Sequence, residues 1–463
     1  MIKFKYALTR QACGRMRRGC LVALLLWLLP ACLASAGCRW MAAERTIWVT
    51  DYPAGAPCTL TTLLRQDRMN GWGAVAYDAA SDIYTVNASL WIGDNQSAST
   101  HFQIGSPAHP AETLILNGNL VIHPACVKDE NPVREFQSQA RINRVRLGSP
   151  DDPAVQAALK FACSPSNAWT LITGVAPGRP PESSWSGSEL HVYNSRITAA
   201  QPDSPHSFGG KPDSGWRHGD HVFTYGGLVF QNAEISWFRG VATWGARDIF
   251  TRIENTVFGN GHYAMINGGW PARGCTFRNL VTAVGDWGGP IVTTLTDCRF
   301  AGNQCHWKLT VPGSCLTAVD CEWDPPLGKN RYAWDPSQSD PQKRPAFISQ
   351  RHLLVAAADP AGRPVARAEV EIACEQDAWY NPVICGKAAT DPAGRTPGPG
   401  MPGALLLVEF VERATATPDT PEKTVYAYRI TVKAAGYAPA TIASFAPAQS
   451  WQQVVVVVKP MAE

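Results

Sequence analysis

The sequence predicts an all-β chain in two parts, a parallel β-helix over residues 80–325 and a small antiparallel β-sandwich over residues 351–463. Three observations carry this. A four-residue pattern recurs as Asn232-Ala233-Glu234-Ile235, Asn255-Thr256-Val257-Phe258, Gly274-Cys275-Thr276-Phe277, Asp297-Cys298-Arg299-Phe300 and Asp320-Cys321-Glu322-Trp323. Its large apolar positions are separated by 23, 19, 23 and 23 residues, a near-constant period that marks stacked repeats. With 39 Gly, 36 Pro and only 17% charged residues, the chain is turn-rich and poor in the charge that exposed helices carry.

Alternation fixes which side chains face in. Within each unit the small residue and the large apolar residue are two apart, so both point to one face of a strand and the residue between them points out. Stacking places Ala233, Thr256, Cys275, Cys298 and Cys321 in one internal column, and Ile235, Phe258, Phe277, Phe300 and Trp323 in the next. Asn232, Asn255, Gly274, Asp297 and Asp320 then share a corner, where Asn and Asp bond their own backbone and Gly accepts positive φ. In coil length and column chemistry, including the Asn ladder at one turn, this half of the chain resembles the right-handed parallel β-helix superfamily, the pectate-lyase-like fold. The resemblance brings no catalytic signature with it.

The N-terminus reads as an address. Lys3, Lys5, Arg10, Arg15, Arg17 and Arg18 precede an apolar run, Leu21 to Leu29, and the small residues Ala34-Ser35-Ala36-Gly37 follow. That run is too short to span a membrane and has the layout of a secretory signal, here assigned to residues 1–37. Ser35-Ala36-Gly37-Cys38 also resembles a bacterial lipobox, with Ser35 where Leu is usual, which would make Cys38 a lipidation site in the cell envelope. Ordinary cleavage after Ala36, leaving Cys38 a thiol, is the alternative. Loss of the six basic residues turns a formal charge of +3 into −3, so nothing electrostatic favours nucleic acid.

Export permits disulfides among the ten cysteines from Cys58 onward. Cys275, Cys298 and Cys321 are explained as core, and Cys374 with Cys385, flanking a short aromatic loop, are the favoured disulfide. Without CxxC spacing or a nearby His at ligand intervals, no metal or redox site is expected. No cofactor is evident; calcium is implied by the superfamily resemblance alone.

Residues 38–79 are read as a cap, followed by the alternating run Ile83 to Ile92. Ile104-Gly105-Ser106-Pro107 is echoed by Leu147-Gly148-Ser149-Pro150, about two coils later. Ala154 to Phe161 reads as a brief helix, and Leu190 to Ile197 returns to the coil pattern with Asn194 at the corner. An excursion over residues 198–226 and a Pro-rich linker over 326–350 complete the first part. In the second, the turn Asp359-Pro360-Ala361-Gly362 recurs as Asp391-Pro392-Ala393-Gly394, between strand-like runs. Together with Pro364-Val365, Ala368, Val370 and the late Ala434-Ala435-Gly436-Tyr437, these residues resemble the carboxypeptidase regulatory-like, transthyretin-like domain, which implies an accessory module without chemistry.

Equal offsets from the corner stack Arg239 on His262, and bring Trp244 and Asp286 into one row. An outer face carrying His262, Tyr263, Arg239 and Asp286 as catalytic candidates has groups for proton transfer and for holding a carboxylate. Trp244, Trp237 and Arg247, with Trp216, His218 and His221 from the excursion, are candidate substrate-binding residues. The superfamily resemblance implies a polysaccharide or cell-surface glycan as partner, with lyase or glycoside hydrolase chemistry. A hydrolase needs two carboxylates flanking the bond, and the paired-Asp pattern of polygalacturonase-like enzymes does not appear between residues 240 and 300. A non-catalytic surface or adhesion protein, with the solenoid as a rigid spacer, is the competing reading.

Overall fold

The computed structural model describes residues 37–461 apart from 95–98, 126–141, 163–168, 170, 174–187, 202–221, 225–226, 239, 243–250, 267–269, 287–288, 338–339, 341–342, 375–385 and 449–451. Three long sheets run side by side, one of eleven strands, one of thirteen and one of ten; they are called sheets 1, 2 and 3. One coil shows the path. Gly227–Gln231 lies in sheet 2, Glu234–Ser236 in sheet 3, Gly240–Ala242 in sheet 1, and Thr251–Glu254 returns to sheet 2 beside the starting strand. Strand pairing between successive coils is parallel, as in Ile235↔Phe258, Phe258↔Phe277 and Phe277↔Phe300. The chain is therefore a parallel β-helix.

The predicted columns are the core. Ala233, Thr256, Cys275, Cys298 and Cys321 are all buried, as are Ile235, Phe258, Phe277 and Phe300, while Trp323 is partly buried at the end of the stack. The rings of Phe258, Phe277 and Phe300 lie 5.4 and 4.9 Å apart with interplanar angles of 6° and 16°. Asn194, Asn232, Asn255, Gly274, Asp297 and Asp320 all take left-handed φ, between 48° and 64°. That is the region Asn, Asp and Gly tolerate best. Asn232 Nδ2 donates to Asn194 Oδ1 and Asn255 Nδ2 to Asn232 Oδ1, at 3.1 and 3.2 Å. At Gly274 an added Cβ would lie 2.4 Å from Asn255 Oδ1, so a side chain there is excluded by space as well as by φ.

Stacking reaches further at both ends than the sequence boundaries suggest. Thr46–Thr50 already pairs in parallel with Ser89–Ile92, inside the region assigned to the cap. The helix Leu60–Asn70, which the sequence reading did not identify, covers this end, with Thr59 as N-cap and Gly71 as left-handed C-cap. Ala154 to Phe161 is not helical: Gln156–Phe161 is a strand of sheet 3, paired with Ala111–Leu116. Small residues that fit a helix here fit a doubly packed strand equally well.

The stretch 326–350 is not a simple linker. It contains Arg331–Tyr332 of sheet 1 and the start of the 13-residue strand Ala346–Ala358. That strand pairs with Cys315–Val319 over its first half and with Gln452–Val457 over its second, so sheet 2 continues into the C-terminal part. Its extension, with Leu405–Arg413, faces an antiparallel four-stranded sheet of Lys387–Ala389, Glu369–Cys374, Tyr428–Lys433 and Ala440–Phe445. Both predicted Asp-Pro-Ala-Gly turns form, with Gly362 and Gly394 at φ 78° and 74°, and Asp359 and Asp391 accepting backbone N–H groups.

Truncating the middle ring of the stack, Phe277→Ala, is expected to cost about 3–5 kcal/mol. Urea unfolding checks this; a loss below about 1 kcal/mol would show that the column does not hold the coils together.

Candidate functional site

Sheet 2 carries a polar outer face. Phe102, Ile104, Val145, Leu147, Leu190, Val192, Leu228, Phe230 and Ile253 point into the core, so the residues between them point out. Parallel register arranges these outward residues in rows. His101, Arg144 and Glu189 form one; Gln103, Arg146, His191, Val229 and Arg252 the next; Tyr193, Gln231, Glu254 and Arg273 a third.

Three alternate residues of the strand Ser188–Tyr193 make a hydrogen-bonded line. Glu189 Oε2 lies 3.0 Å from His191 Nε2, and His191 Nδ1 lies 3.2 Å from the Tyr193 hydroxyl. Both bonds form together when Nε2 carries the ring proton and donates to Glu189, leaving Nδ1 to accept from the phenol. Arg144 Nε donates to the same Glu189 oxygen at 2.7 Å. Arg252 is paired with Glu254 at 2.7 Å. Arg146 differs, because its partner is the neutral amide oxygen of Gln103 at 2.6 Å, and among the described residues no carboxylate neutralises it. Beside Arg144 and Arg146, a recess of about 50 Å³ is lined by Ala54, Pro57, His101, Phe102 and Gln103.

The electrostatics suit proton transfer. Burial pushes the Glu189 carboxyl up, but the His191 hydrogen bond and the Arg144 charge outweigh it and hold the group below its usual value. Burial raises the Tyr193 phenol against the opposing charges of Arg144, Arg146 and Arg252, so it is protonated at neutral pH. His101 is pushed down to about 4 by burial and by Arg144, and stays uncharged. The face thus offers a cationic anchor point for an anion at Arg146 and an ordered carboxylate–imidazole–phenol line.

The sequence-derived candidates fall elsewhere. His262 is exposed and Tyr263 half-buried at the start of Tyr263–Ile266 in sheet 1, with ring centroids 6.4 Å apart. Trp237 sits half-buried at a left-handed corner between sheets 3 and 1. Asp286 is not on an outer face: it is 2% exposed, and its carboxylate accepts from Thr310 Oγ1, Val311 N and Ser314 Oγ, each at 2.7 Å, and from Thr310 N. It fastens the loop after Cys305–Leu309, and burying a carboxylate requires such saturation. Arg239, Trp244, Arg247, Trp216, His218, His221 and Cys385 lie outside the described residues; Cys374 ends the strand Glu369–Cys374. Among the described residues no group of three or more His, Cys, Asp or Glu is placed to hold a metal.

The sequence expectation for Leu190 to Ile197 covers its corner and core and does not include the Glu189–His191–Tyr193 line. The available signal was the outward pair in His191-Val192-Tyr193, preceded one coil earlier by Arg144-Val145-Arg146.

Fold and site together define a parallel β-helix with a polar face on one sheet that carries Arg146 and an ordered carboxylate–imidazole–phenol line. No family model and no curated protein matches the chain. Among solved structures it is similar to crystal structures of the periplasmic alginate epimerase AlgG. One, a single mutant, shows 6% identity over 68% of this chain and 80% of that chain with a TM-score of 0.23. Another shows 8% identity over 60% and 69% with a TM-score of 0.21. At that level of superposition the fold assignment rests on the strand register itself.

His101 and His123, both held near 4 by burial, make folding pH-dependent. The unfolded chain takes up protons below its ordinary value of about 6.5, whereas the folded chain does so only near 4. Stability is therefore full above pH 6.5 and is lost as pH falls through that window. Urea midpoints measured from neutral pH down to about pH 4 should decline, and His101→Gln should flatten the decline.

Proposed function

We propose that the outer face of sheet 2 binds an acidic polysaccharide and removes the proton α to a uronate carboxylate. The observation that carries this is the Glu189–His191–Tyr193 line lying beside Arg146, a cation whose described partner is neutral. A proton next to a carboxylate becomes acidic only when the carboxylate's charge is neutralised and a base stands within reach. Arg146, with Arg252 in the same row, receives the carboxylate. Tyr193 oxygen takes the carbon-bound proton as its own proton passes to His191 Nδ1, and Glu189 stabilises the imidazolium. The resulting enolate either collapses and expels the neighbouring glycosidic oxygen, which takes the proton now on Tyr193, as in a lyase, or is reprotonated at carbon, as in an epimerase.

The chain acts outside the cytoplasm, its N-terminal leader removed, and the C-terminal sandwich serves as an accessory module of the carboxypeptidase regulatory-like kind. No glycoside hydrolase step is assigned to this face, because Glu189 is occupied by Arg144 and His191.

Purified protein is incubated with uronic-acid and neutral glycans, following unsaturated-product absorbance, reducing ends and deuterium uptake from solvent at the uronate carbon. Uronate polymers should react and neutral ones should not. Tyr193→Phe and His191→Gln should each lose about 10²–10⁴-fold in kcat, and Arg146→Ala should chiefly raise KM. Absence of product and of binding with every uronate polymer would favour the spacer reading instead, and activity unchanged in Tyr193→Phe would overturn the role given to Tyr193.

A further inference from the structure

The cysteine that the lipobox-like stretch singles out has a buried neighbour. Cys38 lies in the strand Gly37–Met41, which pairs antiparallel with Thr46–Thr50 through Gly37↔Thr50 and Cys38↔Val49 and closes the edge of sheet 1. Its sulfur points inward, 3.9 Å from Cys58 Sγ and 3.8 Å from the Tyr52 hydroxyl. Cys58 is fully buried at the first strand of sheet 2, paired with Phe102 and directly before the N-cap of the helix Leu60–Asn70. The two cysteines are 20 residues apart in sequence and tie the edge of one sheet to the start of the next.

We infer that Cys38 and Cys58 form a disulfide that locks the N-terminal end of the β-helix, and that Cys38 is therefore not a lipid anchor. This rests on the reading of the chain as exported. Lipidation would make Cys38 the first residue, remove Gly37 with its pairing to Thr50, and attach a thioether to a sulfur that faces Cys58 and Tyr52. Cleavage after Ala36 keeps Gly37 and leaves the thiol where it stands. The half-buried Cys38 is the accessible partner, and the Cys58 hydrogen bond lowers its thiol while burial raises that of Cys58. The Cys38 thiolate attacks a disulfide-bearing oxidant, such as a thiol–disulfide oxidoreductase or oxidised glutathione, forming a mixed disulfide and releasing one thiol. Cys58 then attacks the Cys38 sulfur and the second thiol leaves with its proton. Two protein thiols lose two electrons and two protons, and one oxidant disulfide becomes two thiols. By contrast Cys275, Cys298 and Cys321 are sealed in the core, where no oxidant reaches them in the folded chain.

The full chain is expressed with its leader in a bacterium, and the exported protein is digested without reductant and mapped by mass. The expected result is a peptide containing Cys38 joined to one containing Cys58, separated by reduction. Reduction, Cys38→Ser and Cys58→Ala should each lower Tm by several degrees. A diacylglyceryl group on Cys38, or both thiols open to alkylation in the folded exported protein, overturns the inference. Retention in the cytoplasm would refute export alone. The purified chain treated with oxidised glutathione then decides: a Cys38–Cys58 crosslink supports the pairing, and no crosslink or a different one overturns it.

Discussion

Everything in the first part of this molecule depends on the parallel hydrogen-bond ladder between successive coils. Because Phe258 pairs with Phe277 and Phe277 with Phe300, a residue at a given offset must stack on its equivalent in the next coil. Each column must then consist of residues that tolerate one another at strand spacing, about 4.8 Å. Aromatic rings do so by near-parallel stacking, and Asn does so by amide-to-amide hydrogen bonds. The corner adds a second demand, left-handed φ, which explains why Asn, Asp and Gly occupy it and no β-branched residue does.

The same ladder builds the candidate site. Arg144 and Glu189 are 45 residues apart in sequence yet adjacent in one row, because intervening loops of unequal length do not disturb the register of sheet 2. A charged pair, an imidazole and a phenol are thereby set on a rigid surface by backbone bonds rather than by loop conformation. Such placement suits proton transfer, which needs short, fixed distances between donor and acceptor. The core below supplies that rigidity: Val145, Leu147, Leu190 and Val192 are fully buried beneath the outward residues.

The fold was legible in the sequence because it is written as repetition. Five copies of one pattern between Asn232 and Trp323 give the period, the columns and the corner, and all three appear in the structure. The site was less legible for a physical reason. Offsets counted from the corner predict neighbours well, as the stacking of Val281 beside His262 shows through the bonds Thr282 N to His262 O and Val281 N to Gly261 O. They do not say whether an offset faces solvent, and Asp286 proved to be buried under the loop at 310–314. On the face that matters, the coils before Asn232 are longer than those after it: Ile104 pairs directly with Leu147, so their echo spans one coil rather than two, and the later period does not predict that Arg146 lies beside His191. The end of the stack was also blurred, since the strand Ala346–Ala358 runs without a break through both parts.

The thiol column shows how local chemistry and stacking select the same residue. Thr256 Oγ1 donates to Glu254 O at 2.9 Å, and the sulfurs of Cys275, Cys298 and Cys321 donate to the carbonyls of Arg273, Thr296 and Val319 at 3.4, 3.3 and 3.5 Å. In each coil the bond runs two residues back, to the last carbonyl before the left-handed corner. That carbonyl already accepts a ladder bond from the corner N–H of the preceding coil, as in Asn232 N to Glu254 O and Asn255 N to Arg273 O, and a short side-chain donor fills its second lone pair. The position must also be small enough to stack on itself and apolar enough to lie in the core. Cysteine meets all three conditions, Thr meets them with a stronger donor, and Ala233 meets only the last two. Cysteine at this place is therefore selected by geometry at the corner, whereas Cys38 and Cys58, which lie outside the repeat, are brought together by the cap alone.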